Sequence, residues 1–303
     1  MVKGLRVVTF NAFLPAYQLV AEWAERHEHR LVLLVTVPSA LGERYGSGHP
    51  ALLDGIPGSQ DVLITTRPRR TAAPVIAALE PDLIVSATFP RRIPSEVTAI
   101  PRFGAVNLHP GPLPRGRGPN PVRLIYEGDE IVGATLHRIA PDFDAGAILS
   151  RREQPLPSDV TGAGIRGAWI EMLQAVLEEG TARAIAGEPG VPQDESLASY
   201  AAPFTKQERW LSWHEPARTV QRRAAALNLL EPLARSRIDG EAVRVLDVRT
   251  HEGAAPAAEP GTVLARDGNM LTVRVADGVV EATIHPEPLS TPTEMTPSEV
   301  DAV

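Results

Sequence analysis

Three side chains in this sequence have the types and positions needed for carbonyl chemistry: Asn107, His109 and Asp144. An Asn amide donates hydrogen bonds and cannot ionise, which suits an oxygen that gains negative charge during a reaction. A His can donate to the same oxygen or move a proton. A nearby carboxylate can hold that His in its charged form, or accept the proton of an attacking amine. Together they suit direct attack of an amine on a carbonyl through a tetrahedral intermediate, with no Ser or Cys nucleophile. Read residue by residue, each also fits a plainer purpose. Asn-Leu-His before a loop can cap a turn, and Asp before a small residue and Gly is a common turn.

The elements that must position these residues alternate in type. Leu5–Phe10 is a short β-branched and aromatic run, followed by Leu14, Tyr17, Leu19, Val20 and Trp23 at helical spacing. Leu31–Val37 is almost continuously apolar, as expected of a strand covered on both faces. Val62–Thr65, Asp82–Ser86, Gly104–Leu108 and Gly133–Ile139 read as further strands, with helices over Ala73–Leu79, Pro121–Tyr126 and Thr161–Leu177. This rhythm predicts an α/β fold with a mostly parallel sheet and helices on both faces. Ligands of such sheets bind at the carboxyl ends of the strands, where Asn107 and His109 fall. The Gly- and Pro-dense segment 110–121 must be a shaped loop.

The composition shifts at 199–205. Beyond it come a helix over Pro216–Leu229 and strand runs separated by Asp267-Gly268-Asn269 and Asp277-Gly278, which are turn signals. We read a catalytic domain over 1–200 and a small antiparallel β-barrel domain over 205–303, ending in a polar tail.

The 303 residues include no cysteine, which excludes disulfide, thiolate and Cys-zinc chemistry. The net charge of -7 gives no global attraction to nucleic acid or anionic membrane. No apolar run is long enough to span a bilayer, and no signal-peptide pattern is visible, so a cytoplasmic location is expected and no membrane partner. Gly116 and Gly118 lack a preceding strand and a following Lys-Ser/Thr, so a phosphate-binding P-loop is excluded. His109, His137 and Asp144 match no common zinc spacing, and no metal is expected. His137 reads as a structural histidine, and Trp210 and Trp213 as packing residues.

Two segments taken together resemble a known pattern. Asn107-Leu108-His109-Pro110-Gly111-Pro112-Leu113-Pro114-Arg115-Gly116-Arg117-Gly118, followed by Asp142-Phe143-Asp144-Ala145-Gly146, resembles the signature of the methionyl-tRNA formyltransferase-like family. That signature is Asn-x-His-Pro-x-x-Leu-Pro-x-x-Arg-Gly with Asp-[Ala/Thr]-Gly further on. Gly133-Ala134-Thr135 between them is similar to the family's Gly-x-Thr strand. Weaker similarities lie at Trp210–Trp213 and Met295–Glu299. The resemblance implies a Rossmann-like formyl-folate domain followed by an OB-like barrel, with 10-formyltetrahydrofolate as donor. By position, Asn107, His109 and Asp144 match the family's catalytic triad. The segment from Pro81 to Pro94 is similar to the one that lines the pteridine pocket, so Ala87, Thr88, Phe89, Arg91 and Ile93 are expected on one side of the cofactor. Asp142 and Phe143 are expected on the other. Phe89 equally fits a core position.

The acceptor is read from departures. The tRNA-formylating member of the family carries a basic loop after the second strand. Here Pro38–Pro50 has one Arg and one Glu. From Thr205 onward there are 11 Lys or Arg against 15 Asp or Glu, and Ser290–Glu294 replaces a Gly-Lys-rich segment. Each missing phosphate contact removes counterion-release affinity. The first expectation is therefore a small-molecule amine, such as an amino sugar nucleotide or an amino-acid-derived metabolite. The alternative is methionyl-tRNA. Water as acceptor, or a folate-binding regulatory module without turnover, ranks below both.

Overall fold

Strand β1 (Arg6–Asn11) is buried along five of its six residues and lies in the interior of the larger sheet. In the computed structural model, which describes residues 4–38, 48–158, 160–251 and 257–286, this sheet has seven strands. The others are β2 (Arg30–Thr36), β3 (Val62–Ile64), β4 (Leu83–Ala87), β5 (Ala105–His109), β6 (Ile131–Arg138) and β7 (Ile148–Pro155). Their order is β3-β2-β1-β4-β5-β6-β7. The pairs from β3 through β5 are parallel, and β6 runs antiparallel to β5. The strand order reverses at the β1–β4 boundary, which places the expected ligand crevice beyond the carboxyl ends of β1, β4 and β5.

The apolar runs become strands because both faces are covered. Val8, Phe10, Val35 and Ile84 form one cluster with Ile76 and Val97, while Leu34 packs with Tyr17 and Leu52 on another. Helix α1 (Leu14–Arg26) starts with a proline in its first turn, where the missing N–H costs nothing. It buries Tyr17, Leu19, Val20, Trp23 and Ala24, a helical stripe against the sheet. Helices α2 (Gly48–Gly55), α3 (Ala73–Leu79), α4 (Ser95–Thr98) and α5 (Arg123–Glu127) are short.

Helix α6 (Gly162–Ile185) extends eight residues past its expected end at Leu177. Gly180 and Thr181 look like a stop. Yet a Cβ at Gly180 would come within 2.5 Å of Leu136, so the glycine marks close packing on the sheet. Thr181 Oγ1 donates to the Leu177 carbonyl instead of competing for an end.

The chain folds into two compact units. One is Met1–Pro121, Val132–Gln154 and Trp169–Ala201, and the other is Val122–Ile131, Pro155–Ala168 and Ala202–Val303. The second unit contains α7 (Ala217–Leu227) and a five-stranded antiparallel sheet, ordered β10-β11-β12-β9-β8. Its strands are β8 (Arg235–Ile238), β9 (Glu241–His251), β10 (Val263–Asp267), β11 (Met270–Arg274) and β12 (Val279–Ile284). Asp277 accepts a hydrogen bond from the Ala217 backbone N–H and so satisfies the start of α7.

Strands β7 and β8 go beyond the sequence-based expectation. In RSRI, Ser236 and Ile238 point inward while Arg235 and Arg237 lie half-buried, so arginine stems stand where apolar residues would signal a strand. Among the described residues no helix is long and apolar enough to cross a membrane. Residues 39–47 of the loop after β2, and the segments around Ser290 and Met295, lie outside the described residues.

Candidate active site

The antiparallel register of β5 and β6 sets the site. Asn107 pairs with His137, and His109 with Thr135. Alternate residues of a strand share a face, so these two cross-strand pairs face the same way. Asn107 Nδ2 lies 3.1 Å from His137 Nε2 and 3.2 Å from Asp144 Oδ1. His109 Nδ1 lies 3.7 Å from Asp144 Oδ2, and His137 Nε2 lies 3.6 Å from Asp144 Oδ1. The three residues singled out by type therefore meet at one carboxylate, with His137 as a fourth member.

Asp144 sits in a left-handed conformation, φ 54°. Non-glycine residues rarely adopt it. Its Oδ2 accepts a 2.8 Å hydrogen bond from the Gly118 N–H, which ties the Asp144 loop to the loop after β5. Two residues on, a Cβ at Gly146 would come within 1.7 Å of the Arg138 carbonyl, so only glycine fits there. The Asp-Ala-Gly sequence is thus a backbone requirement as well as a chemical one.

The loop after β5 is held at several points. Thr135 Oγ1 donates to the Gly111 carbonyl at 2.7 Å and accepts from the Leu113 N–H at 3.3 Å. Gly116 N–H donates to Ser199 Oγ at 2.9 Å, and its carbonyl accepts from His109 Nε2 at 3.0 Å. A Cβ at Gly133 would press on Pro112, and one at Gly118 on the Tyr200 ring. The Leu113–Pro114 peptide bond is cis.

The residues expected around a pteridine fall after β4 and β6. Ala87 ends β4 and is buried, while Thr88 is exposed with φ 59°. The Phe89 ring meets Phe10 edge-on at 5.1 Å, and Ile93 is buried in the same cluster. Their side chains pack on the core. Arg91 is exposed. Phe143 is 46% exposed, under the Arg92 guanidinium at 4.9 Å. Arg92 also lies 3.8 Å from Asp142, so the segments after β4 and β6 stand beside each other. A left-handed backbone at Thr88, open polar groups and a half-exposed ring fit a flat, hydrogen-bonding heterocycle.

Burial pushes Asp144 towards the neutral form, but the hydrogen bonds that it accepts from the Gly118 N–H and the Asn107 amide, with the pull of the His109 and His137 rings whenever these carry a proton, outweigh it. They hold its carboxyl well below the usual carboxylate range. Burial lowers the His109 pKa, against the raising effect of Asp144. The resting site is thus an ionised Asp144 beside a neutral His109. Since Nε2–H is donated to the Gly116 carbonyl, the free lone pair of His109 is on Nδ1, the atom that faces Asp144. A proton taken up at Nδ1 would be stabilised at once by the carboxylate. His137 Nδ1 donates to the Arg138 carbonyl at 2.8 Å, so its Nε2 accepts from Asn107.

Both Asn107 amide hydrogens are therefore engaged at rest, one by His137 and one by Asp144. Asn107 can serve a reacting oxygen only by releasing one of them. Its expected role as an oxyanion donor needs this exchange, which sequence alone did not suggest. His137 and Thr135 carried a readable signal, two polar residues spaced by two on an apolar strand. The tie from Ser199 carried none, since it lies far along the chain. Among the described residues no group of three or more His, Cys, Asp or Glu could hold a metal ion.

Residues 65–165 match the family described as formyl transferase, and residues 203–288 match the formyl transferase C-terminal domain. A methionyl-tRNA formyltransferase of Methylococcus capsulatus is 37% identical over 200 residues, spanning 64% of this chain and 63% of that protein. One of Pseudomonas putida is 30% identical over 262 residues, spanning 84% of this chain and 83% of that protein. The crystal structure of HypX from Aquifex aeolicus in complex with tetrahydrofolic acid superposes with TM-score 0.68 at 22% identity, over 92% of this chain and 44% of that one. At that identity the superposition speaks for the fold.

Proposed function

Because the chain belongs to the folate-using formyltransferases of the methionyl-tRNA formyltransferase type, we propose that it transfers a formyl group from 10-formyltetrahydrofolate to the amino group of methionyl-tRNA. The observation that carries the transfer is the meeting of Asn107, His109 and an ionised Asp144 at the end of β5. What supports the acceptor is the identity with methionyl-tRNA formyltransferases over most of both chains.

We place the cofactor between the segment after β4, with Ala87, Thr88, Phe89, Arg91 and Ile93, and the segment with Asp142 and Phe143. When bound there, the folate supplies an electrophilic formyl carbonyl. Asn107 exchanges its bond to Asp144 or His137 for one to the carbonyl oxygen. His109 Nδ1 would take the proton that the attacking amine loses, Asp144 would stabilise the resulting imidazolium, and the imidazolium would return that proton to the folate nitrogen as its bond to the formyl carbon breaks and tetrahydrofolate leaves. The division into a catalytic part over 1–200 and an OB-like part over 205–303 belongs to the same proposal.

The small-acceptor reading keeps a specific support, the scarcity of basic residues in 38–50 and beyond 205. One experiment separates the two. The chain is incubated with 10-formyltetrahydrofolate and either methionyl-tRNA or an amino sugar nucleotide, and tetrahydrofolate release is followed. Release with methionyl-tRNA, weakening steeply as salt rises, supports the proposal. Release with the amino sugar nucleotide alone overturns the acceptor. No release with either, and no folate binding by calorimetry, overturns the transfer.

A further inference from the structure

Gln193 belongs to no regular element, yet its amide touches both catalytic loops. Nε2 donates to the Asp144 carbonyl at 2.7 Å and to the Gly146 carbonyl at 2.8 Å. Oε1 accepts from Arg117 Nε at 3.1 Å and Nη2 at 2.9 Å. A primary amide has two hydrogens and two lone pairs, and here all four are used. Its orientation is fixed chemically. A guanidinium can only donate and a carbonyl can only accept, so a flipped amide would lose every bond.

The two partners are not incidental. Arg117 precedes Gly118, whose N–H holds Asp144 Oδ2. The Asp144 carbonyl belongs to the residue with φ 54°, a strained conformation that persists only where its surroundings hold it. Two parallel ties thus cross between the loops. One runs from Gly118 to the carboxylate, and the other from Arg117 through Gln193 to the backbone of the same aspartate. Arg117 is itself held by Glu195 at 2.8 Å, two residues beyond Gln193, which keeps its guanidinium in place. Ser199 completes the attachment of this segment through Gly116, the residue whose carbonyl fixes the His109 tautomer.

We infer that Gln193 is a positioning residue for formyl transfer: it sets the direction of the Asp144 carboxylate relative to His109 and Asn107 by bracing the Asp144 backbone against Arg117. This rests on the transfer reading above. Gln193 touches no reacting atom. Its effect is on where Asp144 Oδ1 and Oδ2 point, and a misplacement of about 1 Å in such a group costs on the order of 100-fold in rate.

Two variants test it. Gln193→Met keeps the length and removes all four hydrogen bonds. Gln193→Glu keeps an acceptor for Arg117 but turns oxygen lone pairs towards the Asp144 and Gly146 carbonyls. Both are expected to lower kcat by about 10- to 100-fold. KM for 10-formyltetrahydrofolate and for the acceptor should stay within about threefold, since no substrate contact is lost. The acid limb of the kcat/KM profile, set by protonation of His109, should move to lower pH, as the Asp144 carboxylate that raises the His109 pKa turns away from the ring. Unchanged kcat in both variants, with an active wild type, overturns this inference alone. So does a fall in kcat matched by an equal rise in KM or by loss of folded protein on thermal unfolding. If Gln193→Met does not fold, Gln193→Glu decides, and failure of both to fold assigns Gln193 to stability only. A wild-type chain that transfers no formyl group overturns the inference together with the reading beneath it.

Discussion

The corner formed by β5, β6 and their loops spends its polar groups differently from the second unit. At the corner, hydrogen bonds run between residues far apart in sequence and converge on one partly buried carboxylate: Asn107, His137 and Gly118 around Asp144. In the second unit, charged side chains mostly pair as partly exposed ion pairs, such as Arg223 with Glu215 at 2.5 Å and Arg123 with Glu208 at 2.6 Å. Such pairs contribute little individually. A convergent network in low dielectric is worth more, and an unpaired member costs more. The contrast teaches where substitution should abolish chemistry and where it should only lower stability.

The largest expected effect is at the corner. Asp144→Asn and His109→Ala should each cut turnover by about two to four orders of magnitude, the range for losing a proton acceptor or a charge-stabilising group. Arg223→Ala should leave turnover within about threefold. Single-turnover measurements with saturating folate would check both. Near-wild-type rates in Asp144→Asn would break the contrast, because the convergence would then be structural.

Next in size is a pair of glycines. Gly146→Ala puts a methyl group into the space of the Arg138 carbonyl, 1.7 Å away, so the Asp144 loop must move. A rate loss on the order of 100-fold is expected, with a stability loss of about 1–3 kcal/mol. Gly268→Ala, at the β10–β11 turn, meets nothing within 4 Å, although its φ is 57°. It should cost about 1–2 kcal/mol for the left-handed backbone and leave the rate unchanged. Urea denaturation beside activity assays separates the two. Equal rates for both variants would mean that the Asp144 loop adjusts freely.

The same two regions explain what sequence could and could not reveal. The β-α-β rhythm, the switch to antiparallel strands near 200 and the Asp267-Gly268-Asn269 turn are local in sequence, governed by periodicity and backbone preference. Asn107, His109 and Asp144 were legible because each stands next to residues that shape its own loop. The partners of Asp144 were not. Gln193 Nε2 reaches a carbonyl 49 positions away, and Ser199 Oγ meets an N–H 83 positions away. No spacing rule links such residues before the fold does. Strand β8 and the end of α6 were hidden for another reason. Arginine stems and a packed glycine replace the apolar residues and helix formers that pattern reading counts.

The smallest effect is also the most specific to burial. His109 has its pKa lowered by burial first, against Asp144, and His29 in the same unit is lowered mainly by burial as well. An unfolded chain binds a proton at each of these rings near pH 6.5, while the folded chain resists it. The unfolded state therefore holds more protons below about pH 6.5, and stability falls as pH drops through that value towards the folded pKa. Each ring contributes a slope of up to about 1.4 kcal/mol per pH unit. Asp144 has the opposite sense. Its folded pKa is depressed, so its contribution is complete above the ordinary carboxylate range and is lost only in stronger acid. Between pH 5 and 6.5 the histidines thus act without interference from Asp144. Denaturation curves across that window should show His109→Gln with a shallower pH slope than wild type, and His29→Gln with a partial reduction of its own. An unchanged slope in His109→Gln would mean that the ring takes up its proton in the folded state. In that event Asp144 would face an imidazolium at rest, and His109 could not be the group that accepts the amine's proton.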